Sequence, residues 1–261
     1  MNFNLNYTII NKIILILYLL INRYNKIEYA FSKNFIIYNI KLKKINIINM
    51  KITIFVPIKL NSERLPNKML LPLGNKLLCQ HIFDTLVEVK KEIDIVIYCY
   101  CSDEKIKKYL PNDIIFLKRD TKLDHNETKG IDIYKSFINQ INSDIYCLCH
   151  ATSPFIKKES IINGLNKLIN EKYDSSFSVS KIQTFSWYNN KPLNYELENV
   201  IRTQDIRPIY WETSAFYIFK KSILVKYNRR VGLNPFMVET NRIESIDIDE
   251  IEDYELARKI I

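Results

Sequence analysis

Residues 52–68 read ITIFVPIKLNSERLPNK, and this stretch decides the fold. Its first seven residues form an almost continuous apolar run, which is typical of a strand buried on both faces of a parallel sheet. The remaining residues form a polar loop with three cations, Lys59, Arg64 and Lys68. Because α/β sheets bind ligands at the carboxyl ends of their strands, the stretch predicts an anion-binding edge of such a sheet.

The chemistry of this loop suits a triphosphate. Lysine and arginine side chains neutralise phosphate oxygens, and arginine can bind two of them at once. Asn61, Ser62 and the backbone amides of the loop add hydrogen-bonding groups. The loop lacks the glycines of a Walker motif, so an ordinary basic surface loop is the alternative that this segment alone leaves open.

Apolar strands and amphipathic helices alternate along the chain from residue 51 onward. This order predicts one α/β domain over residues 51–261, with a mainly parallel sheet that helices cover on both faces. The other predicted strands are residues 93–100, 114–117, 144–149, 174–180, 210–219 and 243–248, and the predicted helices are residues 76–90, 103–110, 128–141, 160–170, 223–227 and 250–260.

The first fifty residues differ in composition from the rest of the chain. They contain seven Lys/Arg and one acid, which leaves 31 basic and 28 acidic residues in the remainder. This near balance argues against nucleic-acid binding, despite the overall charge of +9. We expect residues 1–50 to be an extension outside the domain.

Three alternatives remain open for this extension. It is a dispensable segment ahead of a start at Met50, a targeting or membrane-anchoring segment, or a folded part of the domain. Its apolar run, residues 13–21, is shorter than the roughly 20 residues that span a bilayer. Membrane contact is therefore expected only if this run is a real anchor.

The five cysteines lie in apolar runs and form no C-x-x-C pair. We expect reduced, buried thiols of a cytoplasmic protein, with disulfides or a zinc site as alternatives. The residues are Cys79, Cys99, Cys101, Cys147 and Cys149.

Two further motifs carry chemistry. Asp247 and Asp249 lie two residues apart, so in a strand both would point to one side, and paired carboxylates suit a Mg²⁺ or Mn²⁺ ion that bridges phosphates. The alternative is that Asp249 only caps the helix that follows.

Residues 150–154 form a polar turn after a predicted strand, which predicts a pocket wall. His150 is there a candidate base or substrate ligand, or else a structural histidine.

Taken in order, these motifs resemble the acylneuraminate and 3-deoxy-manno-octulosonate cytidylyltransferases. The loop after the first strand is similar to the family signature [AR]-x-x-S-x-R-[LF]-P-x-K, and the resemblance runs over residues 51–257. The other matching segments are LLPLGNKLL (70–78), HATSPF (150–155), RTQD (202–205), ETSAFY (212–217) and DIDEIED (247–253).

The resemblance implies a single nucleotide-diphospho-sugar-transferase-like, Rossmann-like domain that dimerises through a small projecting lobe, residues 183–216. It implies that a 2-keto-3-deoxy sugar acid of the sialic-acid type attacks the α-phosphorus of CTP with Mg²⁺ or Mn²⁺, giving a CMP-sugar and pyrophosphate. On the matching positions, the implied nucleotide ligands are Lys59, Asn61, Ser62, Arg64 and Lys68, of which Arg64 and Lys68 are catalytic, with Ser102, Asp103 and Arg119 at the cytidine. The implied sugar ligands are His150, Thr152, Ser153, Arg202 and Gln204, with Arg202 pairing the carboxylate, and the implied metal ligands are Asp247 and Asp249.

The sequence departs from the family pattern at a few positions. Lys59 stands where the family usually has arginine, Asn61 replaces a frequent glycine, His150-Ala151 replaces Gln-Pro, and Ser214 replaces a glycine. The changes on the sugar side bear on the identity of the acid more than on the use of CTP.

Another nucleotidyltransferase or a glycosyltransferase of the same fold, and a non-catalytic nucleotide-binding homologue, are the alternatives. A glycosyltransferase usually carries its D-x-D on a middle strand, whereas here the D-x-D precedes the last helix. The retained cations and carboxylates argue against a homologue without activity.

Overall fold

The computed structural model describes residues 50–261. The predictions for residues 1–49, including the apolar run at residues 13–21, lie outside the described part. Among the described helices, none has the length and apolar character that a bilayer crossing requires.

A seven-stranded sheet forms the centre of the domain. Its strands are β1 (Ile52–Ile58), β2 (Val96–Cys101), β3 (Ile114–Lys118), β4 (Ile145–Cys149), β5 (Ser175–Ile182), β6 (Ile209–Lys220) and β7 (Pro235–Thr240). They lie in the order β7-β5-β6-β4-β1-β2-β3. β6 runs antiparallel to its neighbours β4 and β5, and the other pairings are parallel, so the prediction of a mainly parallel α/β sheet is confirmed.

Five α-helices of the described residues accompany the sheet: α1 (Leu78–Lys90), α2 (Gly130–Gln140), α3 (Lys158–Asn170), α4 (Lys221–Tyr227) and α5 (Ile251–Ile260). Three short 3₁₀ helices and two hairpins of two-residue strands complete the described elements. The 3₁₀ helices are Lys68–Leu70, Glu104–Tyr109 and Thr121–Asp124, and the hairpins pair Pro72–Leu73 with Lys76–Leu77 and Trp187–Tyr188 with Lys191–Pro192.

Aromatic packing holds β1 against α2 and β6 against β5. Phe55 of β1 stacks on Phe137 of α2 with the ring centroids 4.2 Å apart. Tyr217 of β6 stacks on Phe177 of β5 at 6.1 Å. Burial of each such side chain contributes roughly 1.5–3 kcal/mol, so this layer fixes the strands whose ends form the site.

The opposite face depends on a close approach of α3 to the sheet at Gly164. A Cβ atom added there would lie 2.8 Å from side-chain atoms of both Ile218 and Ser176. The hydroxyl of Ser176 donates to the Gly164 carbonyl at 3.1 Å, which closes the contact. A larger side chain at this position would push the helix off the sheet.

The five cysteines are free and buried, as the sequence predicts. They belong to α1, β2 and β4. Burial raises the pKa of Cys79 to about 12, and it also raises the pKa values of Cys99, Cys101 and Cys147. Thiols in this state are structural apolar groups. In the described part of the chain, no cluster of His, Cys, Asp or Glu has the three members that a zinc site needs.

The chain between β5 and β6, which forms most of the predicted lobe, is tied together by side-chain amides. Nε2 of Gln183 donates to the carbonyls of Thr203 and Ile206, at 2.9 and 2.7 Å. The hairpin and its flanks leave apolar side chains in solvent: Trp187, Tyr188, Leu193, Leu197 and Val200 are each at least half exposed.

One predicted strand is wrong and one strand was missed. Residues 242–245 form a turn, because Oδ1 of Asn241 accepts hydrogen bonds from the amides of Ile243 and Glu244, both at 3.0 Å, and residues 246–249 that follow are irregular. The amide of Ser245 then bonds to the Asn241 carbonyl at 3.0 Å. The last strand is instead β7, which pairs with β5. Asp247 and Asp249 therefore lie in an irregular segment after the turn and not at a strand end.

Candidate active site

The site lies where the order of the sheet reverses. β1 pairs in parallel with β2 on one side and with β4 on the other. The chain passes from β1 to β2 and β3, and then crosses to β4 on the opposite side. The loops that follow β1 and β4 diverge at such a point and leave a cleft between them.

Asp249 joins the two cations of the loop after β1. Its Oδ1 lies 2.8 Å from Nζ of Lys68, and its Oδ2 lies 2.8 Å from an Nη of Arg64. Lys68 is only 5% exposed, so its charge requires a partner. Burial alone would raise the pKa of Asp249, but the hydrogen bond and charge of Lys68, with those of Arg64, hold it below its usual value.

Asp247 lies in a different environment from its neighbour. Its Oδ1 is buried and has no hydrogen-bond partner among the described residues. Burial raises the pKa of Asp247; the Thr152 hydrogen bond opposes the rise, and the charge of Asp249 adds to it. The segment is anchored by the amide of Ile248, which donates to the Thr152 carbonyl at 2.8 Å.

An unpartnered carboxylate oxygen beside a second carboxylate fits a hard divalent cation. Mg²⁺ is usually held by one or two carboxylates, with water and substrate phosphates as its other ligands. Asp247 and Asp249 supply such a pair, and their oxygens suit Mn²⁺ as well.

A cavity of about 460 Å³ lies beside the loop after β1. Ser102 and Asp103, which the resemblance places at the cytidine, line this cavity. Asp103 also accepts a hydrogen bond from the Lys105 amide at 2.9 Å and so caps the 3₁₀ helix that follows β2. The residues that line the cavity are Leu60, Asn61, Ser102, Asp103, Glu104, Lys118, Thr121 and Asp124.

Arg119 has a different position from the one that the sequence suggests for a ligand. It is 2% exposed, and its Nη2 lies 2.6 Å from Oδ1 of Asp124. Its Nη1 donates to the Tyr100 carbonyl at 3.4 Å. Arg119 thus holds Asp124 in the cavity wall, since its own guanidinium is turned inward.

Lys59 and Ser62 occupy the first part of the loop. Nζ of Lys59 donates to Oδ1 of Asn126 at 2.8 Å, and Asn126 in turn contacts Glu63. This network ties the loop to the segment that precedes α2. Ser62 is half-buried in the same loop.

His150 lies at the end of β4, where its amide donates to the Ala215 carbonyl at 3.0 Å. Burial and the charge of Arg230 lower the pKa of His150 to about 4, against the hydrogen bond that the ring makes to the Ser214 backbone and the charge of Asp249, which both raise it. The sequence alone allows a histidine that gains charge near pH 6.5. In the structure His150 is neutral at pH 7 and can serve as a hydrogen-bonding group.

Ser153 follows in the same turn. It is completely buried, and its Oγ has no hydrogen-bond partner among the described residues. An unpaired buried hydroxyl is costly. Within residues 50–261, the two buried side-chain oxygens found without a partner are this Oγ and Oδ1 of Asp247, and the resemblance places both residues in the site.

A bulge in β6 gives Ser214 an uncommon backbone. The register of β6 against β5 shifts between Glu212 and Tyr217, and Ser214 has a φ of 61°. That left-handed region favours glycine, which explains the glycine in the family pattern at this position.

Arg202 and Gln204 are not brought to the strand ends by contacts within the described chain. Nε of Arg202 lies 2.8 Å from Oδ2 of Asp205, and its side chain is 79% exposed. Oε1 of Gln204 accepts a hydrogen bond from Thr203. Both side chains therefore make their polar contacts inside the lobe.

Sequence reasoning missed Arg230, which stands next to this site. Its guanidinium carbon lies 3.6 Å from the centre of the Tyr217 ring. An Nη of Arg230 also lies 3.4 Å from Oε2 of Glu212. The only signal in the sequence is a pair of arginines after a short helix, which indicates no particular contact.

The pattern of the family described as "Cytidylyltransferase" matches residues 53–260, which covers all the site residues above. The chain belongs to the cytidylyltransferase family. It is 22% identical over 221 residues to an N-acylneuraminate cytidylyltransferase of Streptococcus agalactiae, covering 78% of this chain and 52% of that protein. It is 24% identical over 211 residues to a 3-deoxy-manno-octulosonate cytidylyltransferase of Rickettsia bellii, covering 76% and 83%.

Solved cytidylyltransferase structures share the fold. CMP:2-keto-3-deoxy-manno-octonic acid synthetase complexed with CTP matches with a TM-score of 0.58 and 15% identity, covering 80% of this chain and 98% of that one. A cytidylyltransferase of Leptospira borgpetersenii matches with a TM-score of 0.53 and 18% identity, covering 80% and 86%. The chain spans about half the length of the streptococcal cytidylyltransferase that it matches.

Proposed function

We propose that this protein transfers CMP from CTP to a 2-keto-3-deoxy sugar acid of the sialic-acid type and releases pyrophosphate. One observation carries the proposal: Asp249 is held by both Arg64 and Lys68, beside the unpartnered buried oxygen of Asp247. Two cations and two carboxylates in one cleft are the groups that phosphoryl-type transfer from a nucleoside triphosphate requires.

The loop after β1 would bind the triphosphate. Lys68 is fixed by burial, whereas the Arg64 side chain is 59% exposed and can reach a ligand in the cleft. The two cations that neutralise Asp249 are the groups available to neutralise phosphate oxygens. The cytidine would enter the adjoining cavity, where Asn61, Ser102 and Asp103 offer polar groups.

Asp247 and Asp249 would hold the Mg²⁺ or Mn²⁺ ion. When bound, the ion supplies neutralisation of the phosphate oxygens and of the charge that develops during transfer. The pKa values of the two carboxylates shift in opposite directions. Burial and the charge of Asp249 raise the pKa of Asp247, whereas pairing with Lys68 and Arg64 lowers the pKa of Asp249.

The transfer is a substitution at phosphorus. The anomeric hydroxyl oxygen of the sugar acid forms a bond to the α-phosphorus, the bond to the pyrophosphate oxygen breaks, and the hydroxyl proton passes to solvent. Arg64 and Lys68 stabilise the negative charge on the leaving pyrophosphate, while the walls of the cleft hold the two reactants in line.

The acceptor would lie against the end of β4. Neutral His150 can both donate and accept hydrogen bonds, and Thr152 and Ser153 follow it in the same turn.

We also infer a homodimer through the lobe, since a second copy would cover its exposed apolar side chains and bring Arg202 and Gln204 to an interface. The free buried thiols support a cytoplasmic location.

Nucleotide selection tests the proposal. Pyrophosphate release is measured with CTP, UTP or ATP in the presence of Mg²⁺ and a panel of 2-keto-3-deoxy sugar acids. We expect kcat/KM for CTP to exceed the other values by about 100-fold, because hydrogen bonds to the base discriminate strongly. Preference for another nucleotide would replace the proposal with a different nucleotidyltransferase.

A further inference from the structure

Arg230 is held in place from three sides. Its guanidinium stacks on the ring of Tyr217 at 3.6 Å, and its Nη1 donates to the hydroxyl of Tyr134 at 3.1 Å. Its Nη2 lies 3.4 Å from Oε2 of Glu212, which also accepts a hydrogen bond from the Tyr217 hydroxyl at 2.5 Å. A guanidinium fixed in this way has already lost most of the freedom that binding would otherwise cost.

Arg230 and His150 flank the same aromatic ring. The His150 ring centroid lies 6.3 Å from that of Tyr217. The charge of Arg230 contributes to the lowered pKa of His150, and the charges of Asp249 and Lys68 act on the same histidine. His150 is therefore within electrostatic range of both Arg230 and the Asp249–Lys68 pair.

The guanidinium retains capacity for a ligand. An arginine has five N–H donors, and the contacts with Tyr134 and Glu212 use one each, so three remain. The side chain is 32% exposed. A carboxylate can take two of the remaining donors in the bidentate geometry that makes arginine selective for planar anions.

The other arginines near the cleft are less suited to the acceptor. Arg64 is paired with Asp249 on the phosphate side. Arg202 is exposed in the lobe and paired with Asp205. Arg242 is exposed and lines a cavity of about 390 Å³ with Asp247 and Asp249. No ion pair holds Arg242 within the described residues, so its side chain would have to be ordered on binding.

We propose that Arg230 binds the carboxylate of the acceptor sugar acid, beside His150, and so selects an acid over a neutral sugar. The inference rests on the proposed function and deepens it. Because His150 is neutral, it adds hydrogen bonds without a second positive charge. Glu212 orients the guanidinium through its contact with Nη2.

The test compares wild type, Arg230→Met, Arg230→Lys and the control Arg229→Met, whose residue lies next in sequence and stacks on Tyr227. The acceptors are N-acetylneuraminate, 3-deoxy-manno-octulosonate and the carboxamide of each. We expect Arg230→Met to raise the acceptor KM by roughly 30-fold or more, with KM for CTP within about twofold. Arg230→Lys should recover part of the loss, and Arg229→Met should match wild type.

The carboxamides separate ligand binding from a structural role. Wild type should prefer the acid over its amide, and Arg230→Met should lose that preference. If the arginine were merely structural, its removal would lower the melting temperature and leave the preference unchanged. An unchanged preference, or a loss confined to an Arg242→Met variant, would overturn the assignment. CMP-sugar formation by wild type reports separately on the proposed function, and calorimetry of acceptor binding without CTP reports on Arg230 without turnover.

Discussion

Nζ of Lys68 lies 2.8 Å from Oδ1 of Asp249, although the two residues are 181 positions apart in the chain. The contact joins the loop after the first strand to the irregular segment before the last helix. It also gives a lysine that is 5% exposed the charge partner that its burial demands. The site is therefore completed only when both ends of the domain are folded together.

Replacement of Lys68 tests this contact. Lys68→Met keeps most of the volume but leaves Asp249 with Arg64 alone. We expect kcat/KM to fall by about 100-fold or more, because a fixed charge at the phosphates is lost. Lys158→Met is the control, since Lys158 forms a surface pair with Glu92 and should not affect the rate. Near-normal kinetics of Lys68→Met would show that Lys68 does not take part in catalysis.

Removal of either carboxylate tests the proposed metal site. Asp247→Asn and Asp249→Asn should each lower the rate by about 100-fold and raise the Mg²⁺ concentration needed for half-maximal rate. Glu250→Gln is the matched control, because Glu250 is exposed and belongs to the capping box of α5. Full activity of wild type in EDTA would contradict a metal role for this pair.

His150 makes the stability of the protein depend on pH. Its pKa is lowered from 6.5 to about 4, so the unfolded chain binds a proton that the folded protein does not. Stability should therefore decrease as the pH falls from 6.5 to 4, by about 2–3 kcal/mol from this group. Urea unfolding across that range should show a smaller acid loss for His150→Gln than for wild type. Parallel curves would mean that the histidine is not protected from protonation.

The left-handed backbone of Ser214 predicts a stabilising substitution. Ser214→Gly and Ser214→Ala both remove the hydroxyl, but only glycine adopts a φ of 61° without strain. We expect the glycine variant to be about 1 kcal/mol more stable than the alanine variant by urea denaturation. Equal stabilities would indicate that the bulge in β6 adjusts around an alanine.

Much of the fold can be predicted from the sequence, because burial and periodicity are local signals. The apolar run of β1 and the repeated strand–helix units give the mainly parallel sheet. The error at residues 243–248 has a physical cause. The mixture of apolar and polar residues resembles a strand pattern, but Oδ1 of Asn241 accepts hydrogen bonds from the amides of Ile243 and Glu244, which form a turn instead. β7 was missed because only its pairing with β5 distinguishes it from a loop.

Some residues of the candidate site could likewise be predicted from the sequence, and others could not. Lys68, Asp247 and Asp249 lie in motifs whose chemistry is visible along the sequence. Arg230 is different, because its role depends on contacts with Tyr134 and Glu212, which lie 96 and 18 positions away. Such contacts form only when the sheet and α2 pack together, so no local pattern announces them.

The most direct test of the central claim follows the phosphorus atoms themselves. ³¹P NMR of the protein with CTP, Mg²⁺ and N-acetylneuraminate or 3-deoxy-manno-octulosonate should show a CMP phosphodiester and pyrophosphate appearing in equal amounts, only when the acid is present and not with Asp249→Asn. Release of phosphate from CTP that is independent of the acid, or unchanged CTP with every 2-keto-3-deoxy sugar acid tried, would contradict the account.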